Sequence, residues 1–279
     1  MDLRVQGPGP TDPFLGARDL FETEQSLQEP VTVSIVEDPD ERTRVSHTDD
    51  GHELTISIQA ATSAMARELA LHEFAHMHRH ERGHPSHTQS IEEVIYLALA
   101  GRTVERRKLT HCYQIANHMK DIYADDIWLS VAPGDKLVDF LESSLAATLI
   151  DRPQSIPAWD LTSGVPVDDA PTDQRTDGDS SHDGNRDGPA RLTATADPDI
   201  TAVNAAFALG LVERHSLIGE NHRLYDLAHA AAEDAPGVAF GQFKRRFRSL
   251  AHDPDKSEYR KTLVDATRLY AGEGGRAAD

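Results

Sequence analysis

Leu71-His72-Glu73-Phe74-Ala75-His76 decides how the chain is read. The run leading into it, from Ala60 to Ala70, is rich in Ala, Leu, Met and Glu and holds neither Gly nor Pro, and Thr62 or Ser63 stands where a cap is needed. These features predict a helix. On a helix, residues four apart share a face, so His72 and His76 present two imidazoles to one point. That spacing suits two of the four positions around Zn²⁺, at about 2.0–2.1 Å per nitrogen. Glu73, one residue past the first histidine, is then placed to take a proton from a metal-activated water. The small and apolar neighbours Ala70, Leu71, Phe74 and Ala75 fit a helix at the floor of a cleft.

Upstream, residues 1–12 are Gly/Pro-rich and read as loose, and Pro13 to Gln28 reads as a short amphipathic helix. Val31 to Val36 alternates with period two and is β-branched, a strand; Arg42 to Thr48 and Leu54 to Ile58 are two more, joined by a turn at Thr48-Asp49-Asp50-Gly51. The expectation is a small, mostly antiparallel sheet feeding the His-Glu helix, with the strand near Leu54–Ile58 at its edge, open to an extended peptide. Downstream, Gly83 and Pro85 force a turn through a histidine-rich stretch whose His78, His80, His84 and His87 read as a surface-exposed loop near the cleft, with accessory metal ligands as the alternative. Three helices follow: Gln89 to Arg107, with Ser90 as cap and Glu93 in the capping-box position, then Leu109 to Leu129, then Asp135 to Ile150.

From Ser163 to Ala196 the composition changes: seven Asp lie between 168 and 187 among Gly, Pro, Ser and Thr. Such a segment lacks the apolar side chains that offset ordering entropy, and it reads as an acidic disordered linker or insertion. Four helices are expected beyond it, Thr201 to His215, Leu224 to Ala232, Val238 to Leu250 and Ser257 to Ala271. In the third, Phe240, Phe243, Phe247 and Leu250 form a core stripe opposite Lys244, Arg245, Arg246 and Arg248. The fold class is therefore α+β and predominantly helical. Residues 1–160 form a metal-binding domain, 161–196 the linker, and 197–279 a helical region that completes a second lobe or stands as a small domain.

The formal net charge is −19, and only six of the 28 basic residues are Lys. This composition is similar to that of cytosolic proteins from extreme halophiles, whose surface carboxylates keep them soluble where salt screens charge to about 3 Å. It argues against nucleic acid as a partner, because neutralising phosphates needs a basic face. A single cysteine, Cys112, excludes an internal disulfide framework and fits a reducing compartment. With neither an apolar leader nor an 18-residue apolar run, the expected location is the cytoplasm, away from membranes.

A catalytic zinc needs a third protein ligand. A third histidine in the pattern H-E-x-x-H-x-x-G-x-x-H is excluded, because positions 79 and 82 are both arginine. Glu92 and Glu93 lie sixteen and seventeen residues past His76, near where a thermolysin-like pattern places its glutamate. Farther on, Asp121-Ile122-Tyr123-Ala124-Asp125 resembles the E-x-x-A-D that follows H-E-x-x-H in the HtpX and CAAX-prenyl endopeptidase group of gluzincins. The resemblance covers roughly residues 30–150, with Asp in place of the first Glu and without that group's membrane spans. It implies a soluble, minigluzincin-like zincin in which Asp121 binds the metal and Asp125 fixes the tautomer of a ligating imidazole. Glu93 remains the alternative ligand. His118, one turn before Asp121, reads equally as ligand, donor or core histidine. The chemistry expected is zinc-dependent hydrolysis of an amide bond in a peptide or protein substrate, with Glu73 as general base. The alternatives are a zincin-like regulatory or binding protein and a structural zinc site without turnover.

Overall fold

A computed structural model describes residues 1–150 and 197–272; the expected linker at 161–196 lies outside them. Four strands, β1 (Leu3–Gln6), β2 (Val31–Val36), β3 (Arg44–Thr48) and β4 (Gly51–Ser57), form one sheet. Seven helices belong to the first stretch: α1 (Asp12–Phe21), α2 (Ile58–Ala61), α3 (Ala66–Glu81), α4 (Pro85–Thr88), α5 (Ile91–Leu99), α6 (Arg106–Val131) and α7 (Asp135–Ile150). Four more follow: α8 (Pro198–Arg214), α9 (Arg223–Glu233), α10 (Phe240–Arg248) and α11 (Lys256–Gly272). The α+β class holds, with helices dominating, and no helix of the described residues is long and apolar enough to cross a membrane.

The sheet corrects the expected one. Its order is β1-β2-β4-β3, with β1–β2 and β2–β4 parallel and only β3–β4 antiparallel. Leu3 and Val5, in the stretch read as loose, pair alongside Val31 and Val33 as an edge strand. Helix α1 lies between β1 and β2 in the chain, and a connection of that size is what parallel pairing needs. β4 lies inside the sheet, consistent with its nearly continuous burial, so the open edge beside the His-Glu helix is β3. The β3–β4 hairpin turns at Gly51, whose φ of +127° suits glycine alone, and a Cβ there would sit 2.3 Å from the Pro30 carbonyl oxygen.

Helix α3 packs between α1 and α6. It starts at Ala66, four residues after Thr62, because the preceding turn is spent on the separate α2, which Ser57 caps through the Ala60 N–H. Ala66, Ala70, Leu71, Phe74, Ala75 and Met77 are all buried, and Phe74 meets Phe21 edge to face at 6.0 Å. Truncating Phe74 to Ala would cost about 3–5 kcal/mol.

Helix α8 is buried on every side from Ile200 to Val212, the mark of a helix in the middle of a core. It starts earlier than expected because Asp197 caps it and Pro198 occupies its first turn. Gly210 lets α10 approach, since a Cβ there would sit 2.7 Å from Cβ of Phe247. Phe243, Phe247 and Leu250 are buried as the stripe predicts, while Lys244 and Arg248 both pair with Glu213 on α8. One apolar core runs from Phe14 through Phe74 and Ile122 to Phe207 and Tyr270.

Candidate metal centre

His72 and His76 emerge from one face of α3, and Asp121 and Asp125, also four apart, emerge from the facing side of α6. Nε2 of His72 and Nε2 of His76 are 2.9 Å apart. Oδ1 of Asp121 lies 3.9 Å from the first and 3.5 Å from the second. All three residues are buried, and their ligand-type atoms form a group that could hold a metal ion.

The hydrogen bonds behind these rings define which nitrogens face the centre. Nδ1 of His72 donates to Oδ1 of Asp125 at 2.8 Å, and the Trp128 indole N–H donates to the same oxygen at 2.6 Å. His72 is therefore anchored through Nδ1 and offers Nε2. His76 is anchored by a longer chain. Its Nδ1 lies 2.7 Å from Nε2 of His87, whose own Nδ1 lies 2.7 Å from the Ser86 hydroxyl. That hydroxyl is 2.7 Å from Nδ1 of His84, which also accepts the Ser86 backbone N–H at 3.3 Å. Because Nδ1 of His84 accepts, the hydroxyl donates to it and accepts from His87. His87 in turn accepts the proton of His76, so His76 also offers Nε2.

Two imidazole nitrogens and a carboxylate thus converge in a buried space, an arrangement that repels itself unless a proton or a cation lies among them. The charge state reflects this. Burial pulls the His72 pKa down, but the Asp125 carboxylate at its back, with Asp121 and Glu73, raises it to about 9. Burial and the neighbouring His72 charge hold His76 below the usual range. Burial works to raise Asp121, yet the favourable pull of the neighbouring His118, His76 and His72 rings holds its carboxyl well below the usual carboxylate range. The donor set, two imidazoles and one carboxylate with a hydrogen-bonded carboxylate behind one ring, fits a divalent metal ion.

Glu73, 1% exposed, faces the same place. With His76, Asp121, Asn117, Lys120, His87, Val45 and His47 it lines a crevice of about 10 Å³, near the minimum space for one water molecule. On the other side of the centre, a cavity of about 520 Å³ reaches His72, Asp121 and Asp125. Its walls include Leu69, Trp128, Leu137, Leu141, Phe207 and Leu211.

Glu93 does not join the cluster. Helix α5 buries Val94, Ile95, Ala98 and Leu99, which turns Glu93 outward, and its backbone N–H is taken by the Ser90 cap. His118 is a core residue standing behind Asp121: it is fully buried, stacks on Phe207 at 4.2 Å and donates from Nε2 to Oδ1 of Asn204 at 2.9 Å. Its Nδ1 is 3.8 Å from Asp121. The expectation of a surface-exposed histidine loop is overturned: His78 and His84 are buried, and His87 orients His76. Asn117 and Lys120 escaped the sequence reading, although Asn117 sits one helical turn before Asp121 and so shares its face.

The fold and the cluster define a helix-rich α+β protein with a buried His/Asp centre that could hold a metal. The chain belongs to the DUF5781 family, a family of unknown function, whose sequence profile matches residues 1–272. Neither the curated proteins nor the solved structures contain a match.

Proposed function

We propose that the chain is a zinc-dependent peptidase of the zincin type. The observation that carries this is the convergence of Nε2 of His72, Nε2 of His76 and the Asp121 carboxylate, with Glu73 on the wall of the adjoining water-sized crevice. His72, His76 and Asp121 would hold the zinc, which when bound lowers the pKa of water and polarises a carbonyl. Asp125 and the His87-Ser86-His84 chain keep both imidazoles in the tautomer that offers Nε2. Glu73 takes a proton from water in the crevice and returns it to the leaving amine nitrogen. β3, the sheet edge bordering that crevice through Val45 and His47, offers an extended peptide its backbone groups. The apolar walls of the larger cavity suit a bulky apolar side chain of the substrate.

A second reading is favoured by that cavity: a binding protein that holds a small apolar ligand beside the metal without turnover. Glu73→Gln separates the two. A peptidase loses peptide hydrolysis by several orders of magnitude while keeping its zinc, read by mass spectrometry of a peptide mixture together with elemental analysis. If the wild-type protein with full zinc cleaves nothing in such a mixture, the peptidase reading falls.

A further inference from the structure

A second group of histidines lies on the crevice side of the same helix. His80 follows His76 by four residues, as His76 follows His72, so one face of α3 carries three imidazoles in succession. His80 joins His47 of β3 and His52 of β4, and the ligand-type atoms of the three lie within 4.8 Å of one another. The His47 and His80 rings stack with centroids 3.7 Å apart, and Nδ1 of His47 is 2.8 Å from Nδ1 of His52.

The carboxylate of Glu81 explains why His52 points Nδ1 into this group. Its oxygens accept the backbone N–H groups of Gln28 and Glu29 at 2.9–3.0 Å, so it acts as an acceptor. Nε2 of His52, 3.1 Å away, must then donate to it. A neutral His52 therefore has its lone pair on Nδ1, directed at His47. A carboxylate holding the far nitrogen of an imidazole is the support that metal-ligating histidines recurrently have. His52 is 5% exposed, which makes this a built position and not a chance meeting of surface rings.

We propose that His47, His52 and His80 form a second site for a divalent transition metal that favours imidazole, the class of Zn²⁺, Cu²⁺ and Ni²⁺. An ion held there clips the β3–β4 hairpin to the C-terminal end of α3. It thereby fixes the edge strand whose Val45 and His47 border the crevice beside Glu73. The site uses none of the residues of the first centre, so it stands or falls separately from the peptidase reading.

Zinc alone is the probe, with the full chain stripped by chelator and then equilibrated with Zn²⁺ before elemental analysis. Two zinc ions per wild-type chain are expected, one in Asp121→Asn, one in His80→Ala, and none in the double variant. In the Asp121→Asn background, zinc at a hundredfold excess over Kd should raise the melting temperature by roughly 5–10 °C. That rise should vanish when His80→Ala is added. Wild-type protein that takes up one zinc, with none left in Asp121→Asn, overturns the second site. One zinc kept equally by the wild type and Asp121→Asn, and lost in His80→Ala, upholds it and removes the first. Should His80→Ala fail to fold, acylation of the half-exposed His47 and His80 by diethyl pyrocarbonate decides the matter in the Asp121→Asn protein. Protection of both by zinc supports the site, and unchanged modification at saturating zinc refutes it.

Discussion

Replacing Asp125 by Asn should weaken zinc binding by an amount that grows with pH. Two effects oppose each other. The carboxylate makes His72 a stronger donor, and losing such support behind a ligating imidazole typically costs 10–100-fold in affinity, about 1.4–2.7 kcal/mol. The same carboxylate, 2.8 Å from Nδ1, is also the leading attraction that overcomes burial and lifts the metal-free His72 pKa to about 9. At pH 7 zinc must therefore displace a proton held two pH units below its pKa, a handicap of roughly 100-fold for the wild type. Wild-type affinity should climb about tenfold per pH unit up to about 9 and then level off. In Asp125→Asn the His72 pKa falls, the handicap shrinks and the climb flattens at lower pH. The variant should bind 10–100-fold more weakly at pH 9.5 and differ far less at pH 7. Competition with a chromophoric chelator from pH 6.5 to 9.5 measures both curves. A deficit that is larger at pH 7 than at pH 9.5, or parallel curves throughout, would refute the reasoning.

Asp121→Asn should abolish zinc binding at the first centre, whereas Glu93→Gln on the outer face of α5 should leave it within twofold; the same chelator competition at pH 8 compares them. His87→Ala removes the acceptor for Nδ1 of His76 at 2.7 Å and should weaken zinc by about tenfold, with little change in melting temperature. Asp126 forms a buried pair with Arg214 at 2.6 and 2.7 Å, and Asp126→Asn should cost about 3–5 kcal/mol by leaving the guanidinium unmatched, as chemical denaturation would show. Burial works to raise the Asp126 carboxyl, but Arg214 and His215 hold it well below the usual range. The stability it contributes is thus fully present above pH 5 and is lost as pH falls below about 4, where the unfolded carboxyl binds its proton first. The wild type should show this acid loss in melts from pH 3 to 7, and Asp126→Asn should show much less of it. Gly210→Ala should lower the melting temperature by several degrees, because its Cβ would meet Phe247 at 2.7 Å with the Lys244 carbonyl at 3.1 Å.

What could be read from the sequence was what depends on short range. Helical spacing placed His72 with His76 and Asp121 with Asp125, and alternation located β2 with the bounds it has, Val31–Val36. Which helix faces would meet was accessible only through the likeness of D-x-x-A-D to a known pattern. Strand order was illegible because parallel pairing is decided by how a connection returns, and the four residues of β1 are too few to show a period beside Gly7-Pro8-Gly9-Pro10. His87 was taken for a surface residue because its neighbours are polar. Its role comes from the single-turn α4, which swings it back onto His76. Nothing near Asp126 in the sequence announces its partner: Arg214, 88 residues away, pairs with it and makes it a buried charge.

That last contact bears on when the centre can assemble. Asn204, Phe207 and Arg214 all come from α8, and they hold His118 and Asp126, the two neighbours that set α6 at Asp121 and Asp125. During synthesis, α3 and α6 leave the ribosome long before α8 does. Until Arg214 arrives, Asp126 is a charge with no guanidinium to meet it, and the helix bearing the acidic donors lacks its backing. Metal uptake at the proposed first centre would thereby be tied to completion of the polypeptide: a nascent or truncated chain ending at residue 150 would carry every donor of that centre and is expected to bind zinc poorly.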